Sequence, residues 1–160
     1  MKKQILCLAS LLSALLFLAS CGTVAEIGPL AIDEEVDICE TCTMMVQDNQ
    51  FSTQIVPKSG EALKFDDIGC MAMYINDHQV NGQAYVRDFY TKEWVGIEDA
   101  LFVSTEDVDT PMNHGFLSFA NSQNLERYVS ESNGKEVTWK NVLETITERS
   151  SNDENQSTDN

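Results

Sequence analysis

Two blocks of sequence, Cys39-Glu-Thr-Cys42-Thr-Met44-Met45 and Phe65-Asp66-Asp67-Ile-Gly69-Cys70-Met71, decide how this chain is organised. Together with Met73, they contain three of the five cysteines and four of the six methionines. Thiolate and thioether sulfur atoms are ligands that Cu(I), Zn(II) and iron–sulfur clusters prefer, and thioethers favour Cu(I) in particular. The two blocks therefore predict a binding site for a soft metal ion.

Residues 1–20 are typical of the signal peptide of an exported protein. They begin with two lysines, continue with an apolar run shorter than the roughly 20 residues of a membrane-spanning helix, and end in Leu-Ala-Ser. Cys21 follows directly, and this arrangement resembles a bacterial lipobox, in which the cysteine is acylated, as with palmitate, and becomes the mature N-terminus. We expect a lipoprotein anchored on the extracytoplasmic side of the cell membrane or the outer membrane. The alternatives are an ordinary signal peptide cleaved nearby and an uncleaved anchor.

The rest of the chain divides into a tether, one folded domain and a tail. Residues 21–37 lack hydrophobic periodicity and residues 150–160 are polar throughout, so we expect a tether and a disordered acidic tail. Residues 38–149 are enough for one compact domain. The formal net charge is −16, and it becomes −18 without the two lysines of the signal peptide. This excess of acid argues against nucleic acid as a partner, because phosphate binding needs lysine and arginine.

The first half of the domain predicts two strands, a helix and a third strand. Residues 51–56 and 62–65 are rich in β-branched and apolar residues and flank a Pro-Lys-Ser-Gly turn, which is typical of a hairpin. One of the two aspartates of the second block can then cap a helix that ends near His78. A strand over residues 84–90 completes the unit.

The second half repeats this order. Its predicted elements are strands at residues 94–97, 101–103, 115–119 and 136–139, a helix capped by Asn121 or Ser122, and a final helix from Lys140 to about Glu148. Phe65 and Phe119 each precede a capped helix and are each followed nine residues later by a tyrosine, while Gly82 and Gly134 each open a strand. We therefore predict an α+β fold built from a duplicated β-β-α-β unit. The alternative is a chance match between two sets of common elements.

The Cys-x-x-Cys pair of the first block has several interpretations. Cys7 is expected to leave with the signal peptide, so a disulfide between Cys39 and Cys42 would leave one unpaired thiol in the domain. A thioredoxin-like redox pair stands at the start of a helix, and no helical pattern follows Cys42. A structural zinc site needs four ligands, which the pair would complete with Cys70 and His114.

The methionines favour Cu(I) among these interpretations. Met44 stands two residues after Cys42, so on an extended segment both side chains would point to the same face. Met112 and His114 form a second soft pair in a loop before a strand, and duplication of the unit could bring the two loops together. A thiolate with a thioether suits Cu(I), whereas the carboxylates of Asp66 and Asp67 are hard ligands that are expected to cap the helix instead.

These motifs resemble those of the NosL family, the accessory lipoproteins of nitrous-oxide reductase. The resemblance rests on the lipobox at Cys21, the motif Cys39-x-x-Cys42-x-Met44, the block Phe65-Asp66-Asp67-Ile-Gly69-Cys70, and Thr110-Pro111-Met112 ahead of Gly115. It implies a membrane-anchored, extracytoplasmic copper chaperone, not an enzyme, that delivers Cu(I) for the maturation of nitrous-oxide reductase in denitrification. The implied partners are the apo reductase and its maturation machinery. The implied fold is similar to that of organomercurial lyase.

The resemblance also implies a set of metal ligands. The set consists of Cys42, Met44 and Met112, to which chemistry adds His114, with Cys39 and Cys70 as further candidates. For Cys70 three roles stay open, namely a ligand, a thiol on the exit route of the ion, and a buried structural residue. The family usually has glycine where this chain has Thr43, which leaves both neighbouring donors in place and affects only the local backbone shape.

Two other classes of function compete with a metal carrier. One is a structural or partner-binding lipoprotein in which Cys39 and Cys42 form a disulfide. The other is an enzyme that uses Cys70 with Asp66 or Asp67 as a thiol and acid pair. Similarity of fold does not transfer activity, so the enzyme hypothesis depends on the site alone.

Overall fold

The structure, a computed structural model, describes residues 28–58 and 60–157. Within these ranges it describes side chains as far as residue 152. The predicted signal peptide, the lipidation site at Cys21 and the first part of the tether lie outside the described residues. Among the helices of the described ranges, none combines the length and the apolar character that crossing a membrane requires.

The first sheet has four antiparallel strands. They are β1 (Thr53–Pro57), β2 (Leu63–Phe65), β3 (Gly82–Arg87) and β4 (Trp94–Gly96), in the order β2-β1-β3-β4. Helix α1 (Ile68–Asp77) connects β2 to β3 and packs against β1 and β2. Strand β3 ends before the predicted residue 90 because residues 88–93 form a tight turn, in which the N–H of Lys92 donates to the C=O of Asp88 (2.8 Å).

The second sheet has three antiparallel strands. They are β5 (Leu101–Ser104), β6 (Phe116–Phe119) and β7 (Lys135–Val137), in the order β6-β5-β7, and helix α2 (Ser122–Glu131) connects β6 to β7. In both sheets the first strand of the unit lies between the second and the third. The predicted α+β fold with a duplicated β-β-α-β unit is confirmed. Strand β4, which the sequence places with the second half, instead extends the first sheet by pairing with β3.

The last helix, α3 (Trp139–Ser157), closes the molecule over the first unit. Its Val142 and Ile146 are buried in the same core as Phe65 and Met71, and Asn76 of α1 donates to the C=O of Leu143 (3.1 Å). The helix is longer than predicted, and it continues past the expected end near Glu148 as far as Ser157. Polar composition alone does not end a helix, and no glycine or proline follows its start.

A buried aspartate joins the two units. Asp88 follows β3, and its carboxylate accepts hydrogen bonds from the N–H groups of Tyr90 (3.0 Å) and Thr91 (2.9 Å) in its own turn. The same carboxylate accepts from the N–H of Ala120 in the second unit (2.7 Å), and the N–H of Phe89 donates to the C=O of Ser118 (2.8 Å). Loops of the second unit are therefore held in a fixed position relative to the first.

Candidate metal centre

The first block forms a tight turn rather than an extended segment. The N–H of Cys39 donates to the C=O of Met44 (2.8 Å), and the N–H of Thr43 donates to the C=O of Cys39 (2.9 Å). Thr43 has φ +62°, a left-handed conformation, whose cost for a β-branched residue is on the order of 1–3 kcal/mol. This turn breaks the alternation expected for Cys42 and Met44. Glycine would adopt such a φ freely.

The turn leaves its thiols inside and its methionines outside. Cys39 is 1 % exposed, while Cys42 is partly buried. Met44 and Met45 are 44 % and 42 % exposed. The sulfur donors of the first block are therefore divided between an inner pair of thiols and an outer pair of thioethers.

The two aspartates of the second block have different roles. Asp67 is the N-cap of α1, and its carboxylate accepts the N–H of Cys70 at 2.8 Å. Asp66 does not cap the helix. Its two carboxylate oxygens accept hydrogen bonds from the thiols of Cys39 (3.3 Å) and Cys42 (3.2 Å). The expectation that both aspartates serve only the helix is wrong for Asp66, which belongs to the thiol cluster.

Three thiols and one carboxylate converge where the two blocks meet. The ligand atoms of Cys39, Cys42, Asp66 and Cys70 all lie within 4.8 Å of one another, and the three cysteines are free thiols. Two ligands that share one ion at about 2.3 Å each can be no more than about 4.6 Å apart. The four groups are thus close to the spacing that a single metal ion needs, and small side-chain rotations would complete it.

A loop from the second unit closes on the start of α1. Nδ1 of His114 lies 3.0 Å from the Asp67 carboxylate, which also accepts the N–H of Met112 (3.2 Å). The close approach depends on Gly69, because a Cβ at this position would lie 2.1 Å from Cγ of His114. Asp67, Cys70 and His114 form a second group whose ligand atoms lie within 4.8 Å of one another. Cys70 is shared by the two groups.

Two of the three exposed methionines of the described residues, Met44 and Met112, lie at two different openings beside the thiols. Met112 lines a surface cavity of about 530 Å³ together with Cys42, Cys70 and His114. Met44 lines a neighbouring cavity of about 280 Å³ together with Asp66 and Pro111. The structure therefore brings the predicted second loop to the thiol cluster, although each methionine reaches it from a different side.

Hydrogen bonds among the thiols separate their proton affinities. The hydrogen bond from the Cys70 thiol, assisted by backbone N–H groups of the turn, lowers the pKa of Cys39 to about 6, against the effect of burial. Burial and hydrogen bonds to Asp66 and Cys39 raise the pKa of Cys42 to about 12. The pKa of Cys70 is raised because its thiol donates to Cys39 and is buried. Cys39 is therefore the first thiolate of the cluster, and when ionised it accepts from Cys70 rather than donating to Asp66.

The Asp67 carboxylate is held in its charged form. Burial alone would raise the pKa of Asp67, but the hydrogen bond and charge of His114 and the N–H groups of Cys70 and Met112 outweigh burial and lower it. A charged Asp67 fixes the helix start and the His114 loop together. The N–H groups of Cys70 and Met112 are thereby held on the two oxygens of one carboxylate.

The structure brings some of the predicted ligands together and separates others. It groups Cys39, Cys42 and Cys70, and it separates His114 from the first two by attaching it to Asp67, so the four-ligand set of three cysteines and His114 is not formed. Sequence reasoning assigned Asp66 to the helix cap and left it out of the metal site. The signal was present, because only one of two adjacent aspartates can cap a helix and the other is free to face the thiols.

This duplicated α+β domain belongs to the class of proteins with a thiol-rich site suited to a soft metal ion. The model of the NosL family matches residues 29–147, and the chain belongs to the NosL family. The crystal structure of the copper chaperone NosL from Shewanella denitrificans is similar, with a TM-score of 0.62 at 19 % sequence identity. The match covers 71 % of this chain and 94 % of that chain, and at this identity it shows the fold. No curated protein is significantly similar to this chain.

Proposed function

We propose that this protein is a copper chaperone that binds Cu(I) at the thiol cluster and delivers it for the maturation of nitrous-oxide reductase. The observation that carries the proposal is the convergence of Cys39, Cys42 and Cys70, from two separate blocks, within 4.8 Å of one another. Membership of the NosL family and a fold shared with a protein described as a copper chaperone support it. The proposed location is extracytoplasmic, with a lipid on Cys21 as the anchor.

The arrangement of donors suits a Cu(I) ion that is bound and later released. Thiolates and thioethers are soft ligands that favour Cu(I), and ligand binding requires the thiols to lose their protons. The low pKa of Cys39, about 6, supplies one thiolate at neutral pH. Met44 and Met112 at the two openings are positioned to exchange with the buried thiols when an ion enters or leaves. An incoming sulfur of a recipient could therefore bind before the last thiol leaves.

Zinc is the second candidate cargo because of Asp66. Three thiolates and a carboxylate make a complete four-ligand set for Zn(II), and the ligand atoms of all four groups lie within 4.8 Å of one another. A hard oxygen ligand contributes little to Cu(I) but much to Zn(II). Replacing Asp66 by asparagine therefore separates the two, since it should weaken Zn(II) binding more than Cu(I) binding.

An enzymatic role has weaker support in the geometry. Cys70 is 1 % exposed and its pKa is raised, so this thiol is protonated and shielded, whereas a nucleophilic cysteine needs access and a thiolate. We propose a carrier without catalysis. An assay for carbon–mercury bond cleavage is the direct test, and turnover by the wild-type protein would contradict the carrier hypothesis.

Anaerobic titration with Cu(I), Cu(II) and Zn(II), followed by competition with a Cu(I) chelator, tests the proposed cargo. We expect one Cu(I) per chain in the reduced protein, a loss of affinity of at least about a hundredfold in Cys42→Ser, and a smaller loss in Met44→Leu and Met112→Leu. Val36→Ala, which shortens an exposed apolar side chain that lines neither opening of the thiol cluster, is the control and should bind normally. Unchanged affinity in Cys42→Ser and in the Met44→Leu/Met112→Leu double variant would refute the proposed site.

The disulfide alternative requires a separate measurement. Mass spectrometry of the protein isolated without reductant distinguishes three free thiols from a bridge between Cys39 and Cys42. The chaperone hypothesis expects the reduced form to bind Cu(I) and the bridged form to lose binding, because the bridge consumes two of the three thiols. Stable wild-type protein that is always bridged and never binds copper would favour the structural lipoprotein.

A further inference from the structure

The large exposed apolar side chains of the described residues are concentrated at one place. They are Leu30, Val36, Ile38, Met44, Met45 and Met112. All except Leu30 belong to the first block, the residues just before it, or the loop of the second unit that closes on it. Scattered single apolar residues are normal on a protein surface, but a contiguous group marks an interaction site.

A β-bridge and shared cavities connect most of these side chains into one surface. Ile38 and Met45 are partners in an antiparallel β-bridge, and Met44 and Met45 line one cavity with Pro111. Met112 follows Pro111 and lines the opening above Cys42 and Cys70. We call the surface of Ile38, Met44, Met45, Pro111 and Met112 the methionine face. It surrounds both openings of the thiol cluster.

Acidic residues outnumber basic residues at the border of the methionine face. Glu35, Glu40 and Asp109 are exposed and lie within two or three residues of the face in the chain. Of the nearby bases, Lys64 pairs with Asp37 and Arg87 pairs with Asp48. Arg149 lines the opening beside Met112, where it donates to the C=O of His114 (2.8 Å), so three exposed acids stand against this one arginine. The border of the face is therefore negative. This charge opposes contact with a second copy of the same face and with an anionic lipid surface.

We infer that the methionine face is the docking surface for a copper-exchanging protein whose contact area is apolar at the centre and bordered by lysine and arginine. The inference rests on the proposed function and adds the kind of partner and the surface it binds. Apolar contact at the centre would exclude water from the exposed thioethers while the ion changes ligands, and opposite charges at the border would speed the encounter.

Charge reversal of the border tests the inference. The triple variant Glu35→Lys/Glu40→Lys/Asp109→Lys is compared with the control Glu98→Lys/Glu126→Lys/Glu136→Lys, which changes the net charge equally at exposed positions outside the face. The full-length, detergent-solubilised lipoprotein is loaded with Cu(I), and its transfer to apo nitrous-oxide reductase with its maturation proteins is timed by stopped flow. We expect the border variant to be slower by about tenfold at low salt, with the difference closing at high salt, and the control to match wild type within about twofold.

The apolar centre is tested by Ile38→Asp, which lies outside the metal ligands. It should weaken binding of the metal-free protein to the same recipient, measured by calorimetry, and leave affinity for Cu(I) unchanged in chelator competition. Equal transfer rates for the two triple variants would overturn the inference. So would a wild-type dimer, or binding to lipid vesicles, that Ile38→Asp abolishes. Absence of Cu(I) binding or of any transfer by the wild type would instead refute the proposed function.

Discussion

The substitution Gly69→Ala, which adds one Cβ atom, tests how closely the two units pack against each other at the site. A Cβ at this position would lie 2.1 Å from Cγ and 2.2 Å from Nδ1 of His114. Favourable carbon contacts lie at about 3.5–4.0 Å, so the two groups cannot share this space. Gly69→Ala should therefore displace the loop that carries Met112 and His114 from the start of α1.

The magnitude follows from the hydrogen bonds that the displacement breaks. The Asp67 carboxylate would lose the His114 ring (3.0 Å) and the N–H of Met112 (3.2 Å), and hydrogen bonds to a charged group contribute about 1.5–3 kcal/mol each. Alanine is favoured over glycine within a helix by about 1 kcal/mol, which offsets part of this loss. We expect Gly69→Ala to lower the free energy of unfolding by about 2–5 kcal/mol.

The assay is urea unfolding of the metal-free protein, with Cu(I) affinity measured in parallel. Gly28→Ala is the matched control, since a Cβ there meets nothing within 4 Å, and it should change the free energy of unfolding by less than about 0.5 kcal/mol. Affinity for Cu(I) should fall in Gly69→Ala because the displaced loop takes Met112 away from the opening above Cys42.

A double-mutant cycle with His114→Gly decides whether the clash is the cause. This change removes the three atoms that the new Cβ would meet. In the His114→Gly background, Gly69→Ala should no longer destabilise the protein and should stabilise it by up to about 1 kcal/mol, through helix propensity alone. The same destabilisation in both backgrounds would refute the reasoning.

Further predictions concern the turn, the buried aspartate, the anchor and the ion. Thr43→Gly should raise the free energy of unfolding by about 1 kcal/mol in urea, because release of left-handed strain exceeds the entropy cost of glycine; a loss would contradict the strain argument. Burial alone would raise the pKa of Asp88, but N–H groups, with that of Ala120 first, outweigh it and hold this pKa below 3.8. The carboxylate therefore stabilises the fold above pH 4 and this contribution is lost as pH falls through the depressed pKa; Asp88→Asn should flatten the decline below about pH 4 in urea unfolding. Cys21→Ser should move the protein from the membrane fraction to the soluble fraction, whereas continued membrane association would contradict lipidation at this residue. Cu(I) at a hundred times its dissociation constant should stabilise the reduced protein by about 2.7 kcal/mol in thermal unfolding, and a chelator should reverse this gain.

The fold could be predicted from local patterns because each unit repeats the same signals. Phe65 and Phe119 each end a strand that precedes a capped helix, and this repeated pattern made both β-β-α-β units predictable. The pairing partner of β4 could not be predicted in this way, because the choice between two sheets depends on a turn held by Asp88 and Lys92. The end of α3 could not be predicted either. The polar composition there indicates disorder, but no residue terminates the helix before Ser157.

The candidate site was predictable in its residue types and less so in its geometry. Sulfur-rich blocks pointed to Cys39, Cys42 and Cys70, which the structure groups. The alternation argument for Met44 fails because Thr43 takes a left-handed φ that sequence reasoning reserves for glycine. Asp66 was assigned to the helix cap because a carboxylate beside a helix start normally has that role, and only the tertiary contact with two thiols reveals its other role.

The central claim is that sulfur atoms from both blocks hold one Cu(I) ion. X-ray absorption spectroscopy of the protein loaded with one equivalent of Cu(I) measures those ligands directly. The variants Cys39→Ser and Cys70→Ser are measured beside the wild type for comparison. We predict a first shell of two or three sulfur atoms in the wild type and fewer sulfur atoms in each variant. A first shell of nitrogen and oxygen atoms, or one that neither variant alters, would contradict the account.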